Sequence, residues 1–269
     1  MKKWVINIIS ILLLLNLNCS ITFAHMIKFI QVTDIHLTQE NKKYLDEFVA
    51  EINEKYPDLD FVVFTGDNID KANVNDLETF LNSIKKIKTK KYVLIGNHDV
   101  FKNQGLDKKL YMKLVRKELG RYHSDKPNYV FKIKDVIFIA MDGTKEIIPG
   151  QGGYYKDYEL QWLDKQLDKY KNKKVVILQH FPLLETNSRV HKLYKRENYM
   201  EVLNKHNNVI AIISGHYHEN REEFQNNVYN IITKKFLNNN YYKIIEIDSE
   251  VPMVYTRLII NGSENVNFE

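Results

Sequence analysis

Short apolar runs alternate with stretches of helical periodicity along most of this 269-residue chain, and that alternation restricts it to an α/β architecture. Residues 27–32, 61–64 and 92–95 are brief β-branched and aromatic runs that read as strands. Between them, residues 41–55 place Tyr44, Leu45, Phe48, Val49 and Ile52 on one helical face, and residues 74–88 do the same with Leu77, Phe80, Leu81, Ile84 and Ile87. Two successive strand–helix–strand units predict parallel strands joined by right-handed crossovers. Further on, residues 129–133 and 136–141 flank Lys134-Asp135 as a tight hairpin. Then come a helix at 157–170, a strand at 175–178, a helix near 198–205 and a strand at 209–213. The tail segments 228–232, 241–247 and 253–260 read as strands of a meander. Helices are expected on the outside of sheet layers.

Composition matters mainly for what it excludes. With 44% apolar and 27% charged residues, the chain is neither disordered, nor collagenous, nor a multi-span membrane protein. A single cysteine, Cys19, rules out an internal disulfide. A net charge of +5 over this length, with no clustering, indicates no specific nucleic-acid binding. No repeat or Pro/Gly/Ser linker divides the chain, so residues 25–269 are expected to form one domain.

Residues 1–24 form a separate unit. Lys2 and Lys3 precede the apolar run VINIISILLLL, and Thr22 and Ala24 suit positions −3 and −1 of a cleavage site. A secretory signal peptide cleaved after Ala24 is expected, sending the protein out of the cell or to its surface. The alternative is an uncleaved anchor, which Asn7, Asn16 and Asn18 weaken. Acylation at Cys19 is disfavoured by Asn16, where leucine is usual. Cleavage removes two lysines and the cysteine, leaving 245 residues with a net charge of +3. Such a chain has no thiol to mispair in an oxidising compartment.

Chemistry concentrates at the ends of the expected strands. These ends read Thr33-Asp34-Ile35-His36, Gly66-Asp67-Asn68-Ile69-Asp70, Gly96-Asn97-His98-Asp99, Gln179-His180 and Ser214-Gly215-His216-Tyr217-His218. In open α/β sheets, ligands bind outside the carboxyl ends of the strands. Any one of these residues alone would read as turn chemistry or a solvated histidine. Five coincident placements point instead to a shared site. Carboxylate and imidazole donors without thiolate suit Mn, Fe or Zn. Seven such donors exceed the three protein ligands of a mononuclear catalytic zinc and suit a two-metal site with a bridging carboxylate.

The ordered set Asp34-x-His36, Gly66-Asp67-x-x-Asp70, Gly96-Asn97-His98-Asp99, His180 and Gly215-His216-x-His218 resembles the calcineurin-like metallophosphoesterase family. The resemblance implies a four-layer αββα sandwich. It implies one metal on Asp34, His36, Asp67 and His218, and a second on Asp67, Asn97, His180 and His216, with Asp67 bridging. Both would be divalent or mixed-valence transition metal ions. It assigns His98 to the leaving group and Asp70 to the carboxylate that orients His98. In phosphoprotein phosphatases similar to this family, an arginine that grips phosphate follows the second block; here Lys71 and Ala72 follow Asp70. The pattern is closer to the bacterial phosphodiesterase-like branch, which includes class III cyclic nucleotide phosphodiesterases.

The expected activity is hydrolysis of a small phosphodiester or phosphomonoester by a metal-bridging hydroxide. A catalytically silent metal-binding module with the same fold is the alternative, although no motif position is missing. A mononuclear metallopeptidase lacks its His-Glu-x-x-His pair. Asp99 is expected to start a turn or cap the next element. His123, His191 and His206 read as ordinary surface residues. Tyr154, Tyr155 and Tyr158 are expected to pack rather than to stack on a substrate. Arg189, Lys192, Lys195 and Arg196 form either a solvated basic face or a contact for substrate phosphate.

Overall fold

The computed structural model describes residues 25–188, 190–237 and 240–264. The segment read as a signal peptide lies outside these residues, as does Arg189. Among the described residues no helix is long and apolar enough to cross a membrane.

The expected parallel core is present. Strands β1 (Met26–Val32), β2 (Phe61–Phe64) and β3 (Lys90–Val93) run parallel, with helix α1 (Lys42–Lys55) and helix α2 (Val74–Ile84) as crossovers. A third helix on this side, α3 (Lys108–Leu119), is absent from the expected elements, although its caps are legible: Asp107 Oδ1 accepts from Leu110 N at 2.7 Å and Gly120 ends the helix. The hairpin β4 (Tyr129–Ile133) and β5 (Val136–Met141) opens a second sheet. Strands β6 (Val175–Gln179) and β7 (Val209–Ser214) extend it in parallel, with helices α4 (Asp157–Lys169) and α5 (Arg196–Leu203) between β5, β6 and β7.

The tail departs from a single meander. Strands β8 (Arg221–Gln225) and β9 (Val228–Ile232) complete the second sheet, β9 lying parallel to β7. The chain then crosses to the first sheet, where β10 (Tyr242–Asp248) pairs antiparallel with β1 and leads into β11 (Val254–Ile260) and β12 (Ser263–Glu264). The resulting orders are β12-β11-β10-β1-β2-β3 and β4-β5-β6-β7-β9-β8. Local alternation cannot show which sheet edge a tail strand will join, because either edge buries the same apolar face.

Period-two alternation in the second sheet explains the layering. Along β5, Val136, Phe138 and Ala140 join a core shared with the first sheet and its helices. Ile137, Ile139 and Met141 join a second core with Leu160, Leu163 and Leu167 of α4. One sheet thus buries both faces, and the layers run helix, sheet, sheet, helix, as expected for an αββα sandwich. Across the two sheets, Phe61 meets Phe138 edge-on at 5.1 Å and Phe131 at 5.5 Å, and Phe29 meets Phe138 at 5.7 Å. Full burial of each such side chain is worth about 1.5–3 kcal/mol. This packing holds the carboxyl ends of the parallel strands of both sheets beside one another.

Candidate metal centre

The sharp turns that follow the strands are what bring the donors together. Eleven described non-glycine residues have left-handed φ, and five of them are Asp34, His36, Asp67, His216 and His218. Such backbone costs on the order of 1–3 kcal/mol each and persists only where its surroundings enforce it. Those surroundings are glycine contacts and main-chain bonds. A Cβ on Gly96 would lie 2.1 Å from Asp67 Oδ1, and one on Gly215 would lie 1.9 Å from Thr33 Oγ1 and 2.5 Å from Asp34 Oδ2. Only glycine admits these approaches. His36 N donates to Asp67 O at 2.9 Å and Asp34 N to Gly66 O at 3.0 Å, tying the first block to the second.

All seven expected ligand positions converge, and Asp67 stands in the middle. Its Oδ2 lies 3.3 Å from His180 Nε2 and 3.8 Å from His36 Nε2, while its Oδ1 accepts from His98 N at 2.9 Å. On one side, His36 Nε2 faces His218 Nε2 at 3.4 Å, and His218 Nε2 is 3.2 Å from Asp34 Oδ1. On the other, His180 Nε2 is 3.2 Å from Asn97 Oδ1, and the His180 and His216 rings are 5.0 Å apart. Three groups place one donor atom per residue within 4.8 Å of the others: Asp34-His36-His218, Asp67-His180-His216 and His36-Asp67-His98.

Several of these donors lack a protein partner, which fits a metal. His216 Nε2 is buried without a hydrogen-bond partner among the described residues, and the buried Asp34 Oδ1 has only the 3.2 Å approach of His218 Nε2. Such atoms are costly unless something else binds them. The facing nitrogens of His36 and His218 can share at most one hydrogen between them. By contrast, the far sides of the ligands are engaged: His180 Nδ1 meets Thr65 O at 2.9 Å, and Asp34 Oδ2 accepts from Thr33 Oγ1 at 2.8 Å and His216 N at 2.9 Å. Such outer contacts orient metal ligands.

Electrostatics agree. Burial opposes ionisation of Asp67, but the His180, His36 and His98 rings outweigh it and hold the carboxyl far below the usual range. Burial would lower His180, yet Asp67 and Asp34 push it up to about 9. Burial, aided by His180, holds His216 down at about 3. Burial likewise lowers His36.

Three expectations need correction. The His98 ring is oriented by the main chain of Asp70 and not by its carboxylate: His98 Nδ1 lies 2.8 Å from Asp70 O, while Asp70 Oδ1 lies 3.8 Å from His36 Nδ1. Asp99 does lie in a turn, over residues 97–99, but its carboxylate caps no following element. It is fully buried, and its carboxylate accepts from Asn68 N at 2.8 Å, Ile69 N at 3.0 Å, Gly96 N at 2.7 Å and Asn68 Nδ2 at 3.2 Å. Burial and the nearby Asp67 raise its pKa, against the pull of these donors. Nor are the off-motif histidines a uniform surface set. His123 is buried against Lys91 O at 2.7 Å, and the His191 ring sits 5.2 Å from His216 with Nδ1 2.8 Å from Ser188 Oγ. His206 does pair with Asp164 at 2.7 Å on the helical face. No spacing pattern marks His191; only the return of its loop over the site does.

The remaining residues fall into place around the centre. Tyr155 packs on Tyr199 at 4.8 Å, as expected, whereas Tyr158 is exposed. Arg196 engages Leu183 O and lies 3.7 Å from Glu185. A cleft of 300 Å³ opens beside the cluster, lined by Asp70, Lys71, Asn97, His98, Phe101 and Gln104.

Two mixed sheets whose strand ends gather Asp, Asn and His donors define a metal-dependent phosphoesterase. The calcineurin-like phosphoesterase pattern matches residues 27–220, and the chain belongs to that family of metal-using hydrolases of phosphoric esters. Among its relatives is a protein of Arcobacter nitrofigilis named as a probable glycerophosphodiester phosphodiesterase, 27% identical over 204 residues, covering 70% of this chain and 71% of the relative. A 3′,5′-cyclic-nucleotide phosphodiesterase of Nostoc is 26% identical over 215 residues, 76% of each chain. A dimetal phosphatase from Danio rerio superposes with a TM-score of 0.62 at 15% identity, covering 86% of this chain and 98% of that one, which shows the shared fold.

Proposed function

We propose that the protein is an exported, binuclear phosphodiesterase, with residues 1–24 as its signal peptide and residues 25–269 as its catalytic domain. The observation that carries this reading is the position of Asp67, whose carboxylate lies between the Asp34-His36-His218 group and the His180-His216 pair. Asp34, His36, Asp67 and His218 would hold one metal, and Asp67, Asn97, His180 and His216 would hold the other. Mn, Fe and Zn are the ions these donors suit. Bound there, two such ions supply a hydroxide nucleophile near neutral pH and neutralise charge on the phosphoryl oxygens.

The chain itself does the rest. A carbonyl only accepts, so the bond to Asp70 O keeps hydrogen on His98 Nδ1 and fixes the ring plane. With both ring nitrogens protonated, His98 Nε2–H can then donate to the leaving oxygen while Nδ1–H stays on the carbonyl. The bond from His98 N to Asp67 Oδ1 fixes the position of His98 relative to the Asp67 carboxylate. The cleft beside His98 receives the leaving group. The names of the relatives and the Lys71-Ala72 sequence support diester over monoester substrates.

The test is a paired assay of an aryl phosphodiester and an aryl phosphomonoester with Mn, Fe, Zn or chelator. Metal-dependent turnover faster on the diester is expected. Turnover indifferent to chelator, or none on either ester with metals bound, overturns the reading.

A further inference from the structure

Two loops meet at the mouth of the site and carry exposed apolar side chains that no function has yet absorbed. Loop 145–153 follows β5, and loop 185–195 follows β6. They are fused by main-chain contacts: Tyr194 N donates to Gly153 O at 2.8 Å, Tyr154 and Tyr194 form a β-bridge, and a Cβ on Gly152 would lie 2.8 Å from Lys192 O and 3.3 Å from Val190 O. Their inner side borders the centre. Pro149, Gly150 and Gln151 wall the cleft that holds His98, and His191 lies against His216. Their outer side shows the opposite chemistry. Ile147 and Ile148 are 60% and 80% exposed, Val190 58% and Tyr194 69%. Adjacent isoleucines so exposed cost solubility without contributing to the core.

The charge around them is positive and free. Lys145, Lys192 and Lys195 have no carboxylate partner among the described residues. The acidic groups on the same loops are engaged, Glu146 Oε2 by Lys108 N at 2.7 Å and Glu185 by Arg196 at 3.7 Å. Apolar tips on two loops that also carry unpaired lysines match an anionic bilayer, whose interior takes the tips while its headgroups take the ammoniums. A stable protein contact buries roughly 800 Å² per side, more than four side chains on two loop tips supply.

We infer that this rim seats the protein on an anionic lipid surface, with Ile147 and Ile148 inserted and Lys145, Lys192 and Lys195 at headgroup level. The seating turns the mouth of the metal centre toward the membrane. If the proposed phosphodiesterase activity holds, its substrates include phosphodiesters borne at or released from that surface.

Cosedimentation of the full chain with phosphatidylcholine vesicles, with and without phosphatidylglycerol, tests this. Each variant carries the same N-terminal segment, so differences between them report on the rim. Wild type should bind the anionic vesicles more tightly, and added salt should weaken that preference. I147S/I148S should lower binding about tenfold, from the apolar area withdrawn. K145E/K192E should abolish the preference for anionic lipid, each lysine being worth about fivefold. I147S/I148S should keep wild-type turnover of a soluble aryl phosphodiester and K145E/K192E a wild-type thermal unfolding midpoint, which shows that both fold. Equal vesicle binding by wild type and I147S/I148S overturns the inference. So does self-association of wild type that the same variant abolishes, since the rim would then join copies of this chain. Vesicle binding that I147S/I148S weakens, without turnover, supports the rim and overturns the catalytic reading; turnover with vesicle binding that the variant leaves unchanged does the reverse.

Discussion

The two sheets contribute unlike halves to the site. The first sheet supplies Asp34, His36, Asp67, Asn97 and His98 on short turns bound to one another. Asp99 joins two of these turns, accepting four hydrogen bonds from the second and third blocks, and Gly96 fits against Asp67 with no room for a side chain. The second sheet supplies His180, His216 and His218, and between them runs the long loop that carries His191. One half is a preformed bracket. The other closes on it and brings the substrate-facing surface. The proposed two-metal site needs both: rigidity around Asp67, and adaptable chain where substrates differ.

The largest expected effect breaks the bracket at its centre. Asp67→Asn removes the charge common to both proposed metal positions and should abolish metal retention and nearly all turnover; metal analysis with an activity assay checks both. His98→Ala leaves every metal ligand in place, so it should keep its metals and lose about 10²–10⁴ in kcat, most for esters with poor leaving groups. Loss of a metal in that variant would move His98 into the ligand set. Asp99→Asn places an amide N–H₂ against donors that now meet a carboxylate. Denaturant unfolding should show a loss on the order of 1–3 kcal/mol, with turnover falling too as the second and third blocks part.

A pH measurement sharpens the comparison without mutation. His180 in the metal-free site has its pKa raised to about 9, so at neutral pH it carries a proton that a metal must displace. Metal affinity should therefore rise as pH increases toward about 9, by roughly tenfold per unit for one displaced proton, and then level off. Proton release on metal binding, followed by calorimetry in buffers of different ionisation enthalpy, reads it directly. Asp67 adds nothing to this dependence because it is already ionised. The smallest effect belongs to the closing half. His191→Ala should preserve metal content and change KM more than kcat, a severalfold effect on the scale of one lost hydrogen bond. An unchanged KM across diester substrates would remove His191 from the substrate surface.

Much of this was legible in the sequence because it is local. Apolar periodicity located α1, β2 and β9, and the motif residues sit where strand ends leave their side chains free. Helix α3 is equally legible, from Asp107, Gly120 and the buried face of Tyr111, Met112, Leu114, Val115 and Leu119, with Lys113, Arg116 and Lys117 interleaved. The passage of β10 to the edge of the first sheet was not readable, since pairing is a choice between edges of equal apolar content. Asp99 and Asp70 misled for the same reason. Sequence shows that a carboxylate is present, but whether it meets water, a histidine ring or four backbone donors depends on chain segments about thirty residues away.

By itself the sequence determined the layer architecture, the seven donors and the class of reaction they suit, because periodicity and donor chemistry are properties of residues and their spacing. Only the tertiary structure decided how those donors face one another. It set Asp67 between two groups, gave the orientation of His98 to a main-chain carbonyl, buried Asp99 as the tie within the bracket, and brought His191 and the isoleucine rim to the mouth of the site. Each of these depends on distances between segments far apart in the chain, and packing of the two sheets sets those distances.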